Sequence, residues 1–114
     1  MTAYTTQTLV SNVQYSGTDA FISNAIPAAN YYGGQGAVQT ITYQLDGFVG
    51  IIDVQATLND SKDSAPWFSI SNIGNASSAT TGTSSNTALG NFSWIRAEIT
   101  NYSAGNIGSI TVAY

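Results

Sequence analysis

Ile52-Asp53-Val54-Gln55-Ala56-Thr57-Leu58 decides the fold. Apolar residues occupy every second position, the period of a strand rather than the 3.6-residue period of a helix. Ile52, Val54, Ala56 and Leu58 are expected toward a core, and Asp53, Gln55 and Thr57 on the opposite side. Just upstream, Gln39, Ile41, Tyr43 and Leu45 share one face of another strand. Asp46-Gly47 lies between the two runs and supplies the positive φ of a tight turn. Residues 38–58 therefore read as a β-hairpin.

The alternation recurs along the chain. Gln7–Tyr15 sets Leu9, Val13 and Tyr15 against polar neighbours, as an edge strand does. Trp67–Ser71 is a short strand with Phe68 and Ile70 on one face. Asn91–Asn101 places Ile95, Ala97 and Ile99 against Trp94, Arg96 and Glu98. Ile107–Tyr114 follows, with Ile110, Val112 and Tyr114 on one side, and residues 101–106 read as the hairpin loop between these last two strands. No segment carries a helical stripe.

Two stretches read as long loops. Residues 16–36 hold Pro27 and Gly33-Gly34-Gln35-Gly36, and residues 72–90 are Ser/Thr/Asn/Gly-rich. A structureless loop of the second kind is normally functional or mobile, and an ordered one needs partners. The sum is a single all-β domain over residues 1–114. It is expected to be an antiparallel β-sandwich of jelly-roll type with no substantial helix.

Composition narrows the function classes. Of 114 residues, 2 are basic and 6 acidic, with no His and no Cys. The Ser-His-Asp and Cys-His nucleophile systems are therefore absent, as are Cys/His zinc sites, iron–sulfur clusters and disulfides. Two cations cannot neutralise a run of phosphates, so no nucleic-acid partner is expected. No stretch is apolar enough for a helical membrane span, and the N-terminal MTAYTTQTLVSN carries no secretory pattern. Charged residues are 7% of the chain, so its strand edges lack the charges that normally keep sheets from pairing. Such a surface suits a protein held in an assembly.

No catalytic set emerges. Asp60, Lys62 and Asp63 lack a calcium-loop pattern and read as a solvated turn. Asp46 and Asp53 fall too far apart in the predicted hairpin for a glycosidase pair. Neither a cofactor nor a metal is expected. Arg96 and Glu98 share a strand face with Trp94, either as a charge pair with a stacked ring or as an interface anchor. Tyr31 and Tyr32 before the glycine-rich turn, and Tyr102 in the last loop, would fill an interface or the core, or stack on sugar rings. Asn75 and Thr81 in the 72–90 loop complete the set of expected contacts.

Four segments carry a resemblance. They are Gly50-Ile-Ile-Asp-Val-Gln-Ala-Thr-Leu58, Trp67-Phe-Ser-Ile70, Asn91-Phe-Ser-Trp-Ile-Arg-Ala97 and Gly105-Asn-Ile-Gly-Ser-Ile110. Their order resembles the second half of the discoidin-like, galactose-binding-like jelly roll. It is most similar to small structural proteins of tailed bacteriophages, such as those of cyanobacterial and marine phages. The resemblance covers roughly residues 38–114. It implies a non-enzymatic virion component on the capsid exterior, a decoration (cement) protein bound to the major capsid protein. A homotrimer matched to threefold positions is the expected form. A small tail, fibre or carbohydrate-binding module for host adhesion is the alternative.

Overall fold

The computed structural model describes residues 6–17, 19–28, 38–59, 66–90 and 92–113. These are all-β and antiparallel, and none of them is helical. The strands are β1 (Thr6–Gln14), β2 (Phe21–Ile22), β3 (Ile26–Pro27), β4 (Val38–Thr57), β5 (Phe68–Leu89) and β6 (Trp94–Ala113). They join in one hydrogen-bonded sheet ordered β1-β6-β4-β5, with β2 and β3 also paired to β6.

The three long strands cannot be straight. A strand of 20 residues, such as β4, would run about 66 Å at ~3.3 Å per residue. The longest dimension of the molecule is 39 Å. Each long strand turns a corner where its register slips: between Leu45 and Ile51 on β4, against Asn75–Gly82 on β5 and Thr100–Ile107 on β6. The corners divide the sheet into halves. In the Ile41 half the order is β1, the end of β6, the start of β4, the end of β5. In the Val54 half it is β2 with β3, the start of β6, the end of β4, the start of β5. Numbering the eight segments along the chain gives 1-8-3-6 and 2-7-4-5, an order compatible with the jelly roll expected from the sequence. The hydrogen bonding runs on through the corners, so the halves remain one folded sheet.

One contact shows that the sheet folds over on itself. The Tyr43 hydroxyl is 2.6 Å from the Ser71 hydroxyl, although Tyr43 pairs with Ile110 and Ser71 with Val54. Only facing halves bring them together. Between the halves lie Ile41, Tyr43, Ile52, Val54, Ala56, Ile95, Ala97, Ile99, Ile107, Ile110 and Val112, all fully buried. Burying each Ile or Val contributes roughly 1.5–3 kcal/mol. A hydrogen bond contributes about 1 kcal/mol net, so this apolar stripe is what holds the halves face to face. Gln39 is equally buried, but its amide donates to the carbonyls of Ala88 and Gly90 at 3.2 Å each.

Several expectations from the sequence are corrected here. Residues 38–58 are not a hairpin, because the two runs belong to opposite halves and pair with β5 and β6 rather than with each other. Gly47 has its positive φ of 66°, but it serves a corner, and its N–H donates to Thr81 Oγ1 at 2.9 Å. Residues 101–106 are likewise a corner of β6 and not a hairpin loop. The supposed loop 72–90 is almost entirely strand β5, because its serines and threonines line an edge and need no apolar alternation. Within 16–36, β2 and β3 pair with β6, while residues 29–36 lie outside the described residues. Leu58, expected in the core, follows the end of β4 and is 62% exposed.

Candidate functional site

The outer face of the Val54 half concentrates the chemistry of the chain. Of the five charged residues among those described (Asp19, Asp46, Asp53, Arg96, Glu98), three stand here, together with Trp67 and Trp94, both tryptophans of the sequence. Strand alternation places them there. Ile95, Ala97 and Ile99 take the inner positions of β6, which sends Trp94, Arg96 and Glu98 outward and leaves each half-buried. Ile52, Val54 and Ala56 do the same for Asp53 and Gln55 on β4.

Register then sets a problem that Gln55 solves. Asp53 pairs directly with Glu98 across β4 and β6, and like charges directly opposite each other are destabilising. The Gln55 amide nitrogen donates to Asp53 Oδ2 at 3.0 Å and to Glu98 Oε1 at 3.3 Å. Its oxygen accepts from Arg96 Nε at 2.8 Å. One neutral amide thus links two carboxylates to the guanidinium, using both its donors and its acceptor. The Ser69 hydroxyl donates to Asp53 Oδ1 from β5.

The Arg96 guanidinium also lies over the Trp67 ring, 4.3 Å from its centroid, a cation–π geometry. Trp67 is thus a ring stacked on Arg96 that the sequence did not single out. Trp67 sits just before β5, one strand beyond β4, and only the β4–β5 register brings it to Arg96. Trp94 pairs with Thr57 and Pro27. With Nε bonded and its plane stacked, Arg96 has few rotamers left to lose. Its terminal amino groups make no hydrogen bond among the described residues.

The other expected contacts lie elsewhere. Tyr102 is on β6 rather than in an exposed loop, and it is only 2% exposed. Its ring packs at the corner against Phe48 (5.1 Å), Tyr15 (5.2 Å) and Phe21 (6.5 Å). Its hydroxyl donates to the carbonyl of Gly105 at 2.7 Å, and burial raises its pKa. Asn75 and Thr81 are on β5. Asn75 Oδ1 accepts from the Ser77 N–H at 2.7 Å, and Thr81 holds the β4 corner through Gly47. Tyr31 and Tyr32, like Asp60, Lys62 and Asp63, lie outside the described residues.

A separate polar cleft of about 390 Å³ opens beside the corner in the Ile41 half, lined in part by Asn12, Gln44, Asp46, Thr81, Thr83 and Asn106. Among the described residues, no three His, Cys, Asp or Glu side chains gather as metal ligands. No helix of the described residues is long and apolar enough to cross a membrane. No family model, curated protein or solved structure matches the chain.

Proposed function

We propose that this protein is a non-enzymatic structural component of a virion, a decoration protein that seats on the major capsid shell and stabilises it. The observation that carries the reading is the outer face of the Val54 half. Arg96 stacks on Trp67 there, outside the core, and Trp94 lies two residues before Arg96 on the same strand face, in a chain with only 8 charged residues among 114. Tryptophan and arginine are enriched among the few residues that carry most of the binding energy at protein interfaces. An arginine already held by Gln55 and Trp67 loses little conformational freedom on docking. Bound across neighbouring capsid subunits, such a face stabilises the assembled state by mass action. The virion setting is inferred from the resemblance of roughly residues 38–114 to phage structural proteins.

Quantitative mass spectrometry of purified particles tests this reading. Hundreds of copies per particle, falling steeply in Trp67→Ala particles, are expected. A dozen copies or fewer would move the protein to the tail. The polar cleft favours that second reading, a glycan-binding adhesion module, since its amides, hydroxyls and carboxylate match sugar hydroxyls. A glycan screen in which binding is lost with Asp46→Ala would support it.

A further inference from the structure

We infer that the outer edge of β5 is a self-pairing edge, and that two copies of the chain join there, antiparallel, about a twofold axis through Ser85. β5 is the last strand of both halves, and among the described residues its only sheet partner is β4. From Gly82 to Leu89 it follows β4 without a register slip, which leaves a regular outer row of main-chain donors and acceptors. Natural edges of this length are guarded by lysine, proline or inward charge. Residues 68–89 contain no charged residue and no proline.

The side of the sandwich along β5 is also unsealed. Ser84 and Asn86 pair with Tyr43 and Ile41, so they point toward the interior, yet both are exposed. Leu89 at the end of the strand is 74% exposed.

The sequence of the edge is compatible with itself. Directly opposite residues in an antiparallel pair share a face, so the axis must pass between identical residues. Centred on Ser85, the pairing sets Ser85 against Ser85, Ser84 against Asn86 and Thr83 against Thr87. Each is a pair that can hydrogen-bond across strands, and none brings like charges together. The four strands of the Ile41 half would continue into the four of the second copy. A second copy is the occupant that this edge suits best, because the match of Ser, Thr and Asn comes from the edge's own sequence. The contact is separate from the Trp67–Arg96 face.

Sedimentation equilibrium from micromolar to submillimolar protein tests the inference. The wild-type chain is expected at twice its 11.9 kDa mass. Ser85→Lys and Ser85→Glu, each alone, set like charges across the axis and should weaken association by about tenfold or more. Mixing the two variants should restore the paired mass, a rescue that a general folding defect would not allow. Trp67→Ala should leave pairing unchanged. A wild-type chain that stays single, or that sediments as three copies, overturns the inference. So does either charged variant, Ser85→Lys or Ser85→Glu, if it pairs as well as wild type, or a mixture of the two that shows no rescue.

Discussion

The hydroxyl of Tyr43 meets the hydroxyl of Ser71 across the interior, 2.6 Å apart, on strands that lie in opposite halves of one folded sheet. Asn86 donates to the same Ser71 oxygen at 2.8 Å. This three-member cluster joins the halves by side chains, independently of the strands that run through the corners.

Tyr43→Phe and Ser71→Ala should each lower stability by about 1–2 kcal/mol. In a double-mutant cycle the two should couple by roughly 0.5–1.5 kcal/mol, since they share one bond. Urea unfolding of the four proteins checks this. Purely additive losses would mean that the halves do not meet at these residues.

Alkali should unfold the protein through its buried tyrosines. Burial raises the pKa of both Tyr43 and Tyr102 above the ordinary value of 10.0. Below pH 10 both are protonated in the folded and unfolded states, and their contribution is intact. Above it the unfolded chain ionises first, so stability falls as pH rises toward the folded-state values. Tyr43→Phe should make that fall shallower. Denaturant midpoints measured from pH 8 to 11 should show the change in slope.

Two corner glycines should respond differently to alanine. Gly47 has φ +66° but open space around it, so Gly47→Ala should cost about 1 kcal/mol for the backbone alone. Gly105 has φ +83°, and a Cβ there would collide with the Gly47 carbonyl. Gly105→Ala should therefore cost more than about 3 kcal/mol. Equal melting temperatures for the two variants would contradict the close approach of β4 and β6 at this corner.

Gln55→Leu should expose the repulsion that the amide now relieves. It leaves Asp53 facing Glu98 with no bridge and takes from Arg96 its acceptor. The expected loss is about 1 kcal/mol at low ionic strength, shrinking as salt screens the carboxylates. A loss that does not change between low and high salt would point to packing instead.

The sequence carried the faces of the strands but not their partners. Ile41 and Tyr43 inward, and Arg96 and Glu98 outward, follow from alternation alone. Alternation does not say whether Asp46-Gly47 reverses the chain in a hairpin or bends it around a corner, because both need the same positive φ. What decides is remote: Phe48 is fully buried against Tyr102, far along the chain, and Thr81 takes the Gly47 N–H. β5 was hidden for another reason. Ser, Thr, Asn and Gly are the residues of loops, and only its pairing with β4 makes them an edge. Trp67 was legible as an aromatic, yet its partnership with Arg96 depends on a register that no local pattern encodes.

The position of β6 governs how the chain must be made. It is the latest strand in chain order, yet it lies at the centre of both halves, between β4 and the strands that precede it. Until it has been synthesised, β1, β2 and β3 lack the partner they pair with among the described residues, and β4 has only β5 beside it. A two-stranded ribbon is marginal in water. The full sheet can therefore close only in a late step, after β6 has been made. Nearly every contact in that step is distant in sequence, which makes it slow.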